Sequence, residues 1–78
     1  MERTFREIAL EIKATWKNVY FGAAPYLNIM LRLNTTNPRR HYCYETVGDI
    51  VAYFLANAQT FRGADARRIK AELKEMIK

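Results

Sequence analysis

The chain has 78 residues, of which thirteen are Lys or Arg and eight are Asp or Glu, so its formal net charge is +5. This length accommodates one domain, residues 1–78, and a domain of this size buries only roughly 60% of its unfolded surface. The single Cys43 excludes an internal disulfide, no apolar run reaches the roughly 20 residues of a membrane span, and acidic residues stand where a signal peptide would be apolar. We therefore expect a cytoplasmic protein without membrane contact, whose positive charge favours an anionic partner.

The first predicted helix covers residues 4–20. Thr4 and Glu7 have the spacing of a capping box, in which each side chain accepts a hydrogen bond from a backbone N–H group of the first turn. Gly22 is typical of the residue that follows a helix end. Apolar side chains recur on one face with a helical period, at Phe5, Ile8, Ala9, Ile12, Trp16 and Val19.

The second predicted helix covers residues 24–33 and is apolar on nearly every side. Pro25 suits the first turn of a helix, because its fixed φ is helical and its missing N–H group is not needed there. A domain this small does not easily cover every side of such a helix, so we predict a homodimer or higher homo-oligomer. The alternative is a short helix buried between its neighbours. The predicted subunit interface consists of Tyr26, Ile29, Met30 and Leu33.

Residues 34–43 have the composition of a loop. Arg39 and Arg40 precede aromatic residues in this segment, a combination that suits phosphates and bases, although a solvated loop is the alternative. His41, Cys43 and Glu45 alternate, which would place three possible metal ligands on one face of an extended segment. Three ligands within five residues beside a helix start are poorly spaced, so we predict neither a metal nor a cofactor.

The third predicted helix, near residues 45–59, is the central one. Its apolar stripe is the longest in the chain, and Thr46 with Asp49 resembles a helix-start signal. A second row of small residues would let a neighbouring helix approach closely, so we expect packing on two sides. The apolar stripe consists of Val47, Ile50, Val51, Phe54, Leu55 and Ala58, and the small row of Gly48, Ala52 and Ala56.

The last predicted helix covers residues 64–77. Beside its apolar stripe lies a row of basic residues, which we call the basic column: Arg67, Lys70, Lys74 and Lys78. The four periodic segments predict an all-α fold, a compact bundle of about four short helices without a sheet. If the loop folds toward the last helix, its arginines and this column line one concave basic surface, with an aromatic ring for stacking. The predicted ligand- or partner-binding residues are Arg39, Arg40, Tyr42, Phe61, Arg62, Arg67, Lys70 and Lys74.

Several short motifs resemble those of small uncharacterised helical proteins encoded by phages and prophages of Gram-positive bacteria. They are Tyr53-Phe54-Leu55, Asn57-Ala58, Thr60, Arg62-Gly63 and the run from Ala66 to Leu73, together with Trp16-Lys17-Asn18-Val19 and Pro25-Tyr26-Leu27. The resemblance covers most of the chain and implies a phage setting, with host takeover, anti-defence activity or early regulation as typical tasks. It carries over no functional residue. The basic stretch Pro38-Arg39-Arg40-His41 departs from the more acidic loop that the resemblance implies.

The sequence contains no phosphate-binding Gly-rich loop, no GxSxG motif and no HExxH motif, so we predict that the protein is not an enzyme. We expect an oligomeric binding protein that sequesters or masks a nucleotide signal or a host protein in the host cytoplasm. One alternative is an early regulator that binds DNA through a helix-turn-helix, with Arg67, Arg68 and Lys70 near the start of the recognition helix. Another is a component of phage assembly.

Overall fold

The computed structural model describes residues 2–78, which form four helices and one short β-hairpin. The helices are α1 (Phe5–Thr15), α2 (Ala24–Met30), α3 (Val47–Ala56) and α4 (Ala64–Met76), and the strands are β1 (His41–Tyr42) and β2 (Glu45–Thr46). The strands pair antiparallel, with His41 opposite Thr46 and Tyr42 opposite Glu45. The fold is therefore mostly helical, and the prediction of an all-α chain without a sheet is wrong at the hairpin.

Each helix runs antiparallel to the helices beside it. Both α1 and α3 pack between α2 and α4. Arg3, just before α1, pairs with Glu72 near the end of α4. At the other end, the ring of Tyr26 in the first turn of α2 lies 5.5 Å from that of Tyr53 near the end of α3. Consequently α1 and α3 begin at one end of the bundle, which we call the loop end, and finish at the other, which we call the linker end.

The core lies between the four helices. Phe54 of α3 is completely buried, as the predicted apolar stripe requires. Trp16 packs edge-on against Phe54, with ring centroids 6.2 Å apart, and stacks on Phe61 at 5.0 Å. These three rings close the core at the linker end. The largest fully buried side chains are Phe5, Ile8, Ile12, Met30, Val47, Val51, Phe54, Ile69 and Leu73.

The first two helices are shorter than predicted. α1 ends at Thr15 rather than near residue 20, because Trp16 adopts an extended backbone (φ −104°, ψ 94°) and turns its ring into the core. Gly22 therefore does not terminate α1. α2 ends at Met30 rather than at residue 33, and the chain then continues without regular structure to residue 40.

No helix of residues 2–78 covers the row of small residues on α3. Ala52 and Ala56 are exposed, so the expected close approach of a helix to the small row does not occur within the chain. Gly48 meets the loop instead: a Cβ atom at this position would lie 3.2 Å from the carbonyl oxygen of Pro38. α3 does contact two helices, α2 and α4, but the prediction that one of them approaches the small row is wrong, because helical spacing identifies such a row but not what covers it.

Residues 33–40 satisfy the first turns of both α1 and α3. The first N–H groups of a helix have no acceptor within it. In α1, the N–H group of Phe5 donates to the carbonyl of Thr35 at 2.9 Å, and that of Arg6 donates to the carbonyl of Leu33 at 3.0 Å. One chain segment therefore fixes the start of α1.

The start of α3 is fixed in the same way. The N–H groups of Val47 and Gly48 donate to the carbonyls of Arg40 and Pro38, both at 2.8 Å. Capping boxes complete both first turns, and the resemblance of Thr46 to a helix start is confirmed. The hairpin follows from this arrangement, because the chain must reverse between Arg40 and Val47 to bring Val47 back to the Arg40 carbonyl.

We predict that Phe54→Ala destabilises the fold by about 3–5 kcal/mol, because it empties the centre of a close-packed core. The matched control is Leu10→Ala in α1, where the side chain is half exposed and the loss is expected to stay below about 1 kcal/mol. Urea unfolding measures both values. Equal stability of the two variants would contradict the core described here.

Candidate functional site

A surface cleft of about 290 Å³ lies at the linker end, between the segment after α1 and the end of α3. Its lining combines one aromatic ring with neutral amide and hydroxyl groups. The cleft approaches the size of small-molecule pockets, roughly 300–1,000 Å³. The lining residues are Tyr20, Ala56, Asn57, Gln59 and Thr60.

Gly22 allows the walls of the cleft to meet. A Cβ atom at this position would stand 2.6 Å from the Tyr20 ring and 2.9 Å from Oδ1 of Asn57, so only glycine fits without displacing them. Asn57 is oriented by its Nδ2 group, which donates to the carbonyl of Tyr53 at 2.9 Å. The ring of Phe21 lies 4.8 Å from that of Tyr20 and is 80% exposed, which leaves an aromatic surface beside the cleft.

Arg62 joins the cleft to the basic column of α4. Its Nε group donates to the carbonyl of Gln59, a lining residue, at 3.3 Å. Burial lowers the pKa of Lys70, and the nearby positive charges of Lys74 and Arg62 lower it further. Within residues 2–78, no ion pair neutralises any of the four basic residues Arg62, Arg67, Lys70 and Lys74.

The Lys70 side chain already contacts Phe61 within the fold. Its Nζ group donates to the carbonyl of Phe61 at 2.6 Å and lies 5.7 Å from the centroid of the Phe61 ring. It therefore contributes charge to the linker end from a fixed position. Phe61 itself is only 3% exposed and stacks on Trp16, so the prediction that its ring would stack on a ligand is wrong.

Arg68 belongs to a separate network that joins α4 to α1. Its guanidinium donates to the Glu11 carboxylate, and Arg3 donates to Glu11 at 2.7 Å and to Glu72 at 2.6 Å. Hydrogen bonds from Arg68 and Arg3 lower the pKa of Glu11. In return, the bond to Glu72 raises the pKa of Arg3, and the bond to Glu11 raises that of Arg68. Arg68, a residue of the DNA-binding alternative, is therefore already paired within the chain.

The predicted binding residues do not form a single surface. Arg39, Arg40 and Tyr42 lie at the loop end, where the Arg40 carbonyl accepts a hydrogen bond from Val47 at the start of α3. Arg62 lies beyond the end of α3, which has ten residues and is thus about 15 Å long. The loop folds against the first turn of α3 instead of toward α4, so the prediction of one concave basic surface is wrong.

The predicted subunit interface is largely internal. Met30 is completely buried and Leu33 is 6% exposed within the single chain, so these two residues cannot cover a second copy. Tyr26 and Ile29 are half-buried. The single chain therefore covers much of α2 despite its small size. Self-association stays a prediction, and two of the four residues predicted for its interface are buried within the chain.

The hairpin separates the alternating residues His41, Cys43 and Glu45. Cys43 lies in the two-residue turn with a left-handed backbone (φ 57°), whereas His41 and Glu45 lie on opposite strands. In the part of the chain that the structure describes, no group of three or more His, Cys, Asp and Glu side chains is placed to hold a metal ion.

Comparisons of the chain with protein-family models, curated proteins and solved structures find no match. The resemblance to phage proteins therefore stays a prediction. No helix within residues 2–78 is both long enough and apolar enough to cross a membrane.

The residues that line the cleft were missed because none of them carries charge, and the motifs that include Asn57 and Thr60 carry over no function. The sequence places Tyr20 more than 35 positions before Asn57, and only the antiparallel course of α2 brings the two together. The available signal was Gly22 beside the aromatic pair Tyr20 and Phe21, since a glycine at this position permits close packing.

We predict that Glu11→Gln lowers the melting temperature at pH 7 and has a progressively smaller effect as the pH falls. Because the pKa of Glu11 is lowered in the folded state, its stabilisation is fully present above its unfolded pKa, about 4.3. The stabilisation is lost as the pH falls through the lower folded value. Thermal unfolding from pH 7 to pH 3 measures this difference.

The matched control is Glu75→Gln, whose carboxylate lies 3.7 Å from Lys78 and is highly exposed. An exposed ion pair contributes little to stability, so this variant should melt close to the parent at every pH. A Glu11→Gln curve that ran parallel to the parent down to pH 3 would contradict the network.

Proposed function

We propose that the chain binds a small anionic ligand of the nucleotide class in the cleft at the linker end, without converting it chemically. The observation that carries the proposal is the hydrogen bond from Arg62 to the Gln59 carbonyl, which places an unpaired guanidinium beside a cleft of neutral hydrogen-bonding groups. A nucleotide combines the two corresponding features, a ring with polar edges and a phosphate.

The chemistry of the lining suits each part of such a ligand. Tyr20 offers an aromatic ring for stacking, and the amides of Asn57 and Gln59 offer donors and acceptors for the edge of a base. Arg62 offers a two-pronged donor for phosphate oxygens. Lys70, held against Phe61, adds positive charge at the linker end and favours an anion without needing to touch it.

We propose binding without catalysis because the cleft lining holds no histidine, carboxylate, cysteine or lysine to serve as a general base or nucleophile. In the phage setting that the resemblance implies, the proposed role is to sequester a nucleotide signal in the host cytoplasm. A homo-oligomer and a host protein as partner belong to the same proposal but have less support, since half of the predicted interface is buried.

The test is calorimetric titration with AMP, adenosine and inorganic phosphate. AMP should bind more tightly than either of its parts. Arg62→Gln should weaken AMP binding roughly tenfold or more, because a hydrogen bond to a charged group contributes about 1.5–3 kcal/mol. Tyr20→Ala should weaken the binding of adenosine and of AMP to the same degree. The matched control, Arg32→Gln, is an exposed residue after the end of α2, away from the cleft, and should leave binding unchanged. Equal loss in the Arg62 and Arg32 variants, or no saturable binding of any probe, would contradict the proposal.

The DNA-binding alternative predicts a different result. It requires Arg67 and Arg68 at the start of a recognition helix, whereas Arg68 is paired with Glu11 and Asp65. Duplex DNA should then bind with a steep salt dependence, about 0.9 in log-log slope for each phosphate contact, and should be lost mainly in Arg67→Gln. Such a result, with no effect of Arg62→Gln, would favour the regulator.

A further inference from the structure

The hairpin at the loop end presents an aromatic ring that the fold does not use. Tyr44 is fully exposed at the turn between β1 and β2. Burying a tyrosine ring normally stabilises a fold, and a ring that is fully exposed contributes no such stability to the isolated chain. Arg39, Arg40 and His41 are also exposed, in the residues leading into the turn.

Backbone hydrogen bonds tie the hairpin to the start of α3. The two strands pair next to the turn, and the Arg40 and Pro38 carbonyls accept the N–H groups of Val47 and Gly48. In the loop before β1, Oδ1 of Asn37 accepts a hydrogen bond from the N–H group of Arg39 at 3.0 Å. A ring presented on a fixed support loses little conformational entropy on binding.

Positive charge predominates at the tip. No ion pair in the described part of the chain involves Arg39 or Arg40, and both side chains are exposed. One exposed carboxylate, that of Glu45, follows Tyr44 and raises the pKa of the Tyr53 hydroxyl on α3, and Asp49 caps α3. The guanidinium groups of Arg39 and Arg40 are therefore available to phosphates.

From these observations we propose that the hairpin binds single-stranded nucleic acid, with a base stacked on Tyr44 and backbone phosphates held by Arg39 and Arg40. Arg40 and Tyr44 are separated by at most about 14 Å of extended chain, so both can reach one short stretch of strand. Stacking of bases on aromatic side chains beside a basic track is the usual mode of binding single strands without sequence preference. The hairpin lies at the opposite end of α3 from the cleft, so the two proposals are independent.

The test uses fluorescence anisotropy with labelled oligothymidylate and oligouridylate, each about twelve nucleotides long. Two phosphate contacts on a single strand give a log-log salt slope of about −1.4, so binding should weaken roughly sevenfold between 50 and 200 mM salt. Tyr44→Ala should weaken binding roughly tenfold, and Tyr44→Phe should preserve it, because stacking needs the ring and not the hydroxyl. The double variant Arg39→Gln/Arg40→Gln should remove most of the salt dependence.

Phe21→Ala, which removes an 80% exposed ring at the linker end outside the cleft lining, is the matched control and should bind like the parent. All four variants alter exposed side chains, and thermal melting checks that each one folds. The proposal is overturned if Tyr44→Ala binds the oligonucleotides as the parent does, or if duplex DNA of equal length binds as tightly as the single strand. Binding to phosphatidylserine vesicles in the absence of oligonucleotide binding would overturn it as well, and would assign the tip to an anionic membrane surface.

Discussion

The fold depends on four carbonyl groups in a segment that has no regular structure of its own. Leu33 and Thr35 accept the first N–H groups of α1, and Pro38 and Arg40 accept those of α3. A buried or half-buried N–H group without an acceptor costs about 1–3 kcal/mol, so these bonds determine where both helices begin. Because the two pairs of acceptors follow each other within eight residues, α1 and α3 must start side by side.

This constraint also explains the two ends of the bundle. At the loop end, the chain must turn back after Arg40 so that the N–H group of Val47 reaches the Arg40 carbonyl. Tyr44 lies at the turn of the resulting hairpin and is fully exposed. At the linker end, the chain leaves α1 early because the Trp16 ring closes the core against Phe54 and Phe61. The extended segment that follows is what forms the cleft with the end of α3. The loop that was expected to complete one basic surface instead forms part of a second, separate one.

The local features of the fold could be predicted from the sequence, and the features set by tertiary contacts could not. The capping box of Thr4, the positions of the four helices and the burial of Phe54 follow from side-chain chemistry and helical period. The early end of α1 does not, since Trp16 fits the apolar stripe of a longer helix equally well. The hairpin escaped notice because each strand has only two residues, too few for alternation to appear. The residues of the proposed site divide in the same way: charge identified Arg62 and Lys70, but proximity between distant neutral residues has no signature in one sequence.

The most direct test of this account is native-state hydrogen exchange, followed by NMR, at the amides of Phe5, Arg6, Val47 and Gly48. First-turn amides of a helix usually exchange quickly because they lack acceptors. All four of these amides should be protected from exchange to a similar degree. Asn37→Ala, which removes the acceptor of the Arg39 N–H group, should reduce protection at Val47 and Gly48. Rapid exchange of these four amides in the parent protein, at the rate of other exposed first turns, would contradict this account.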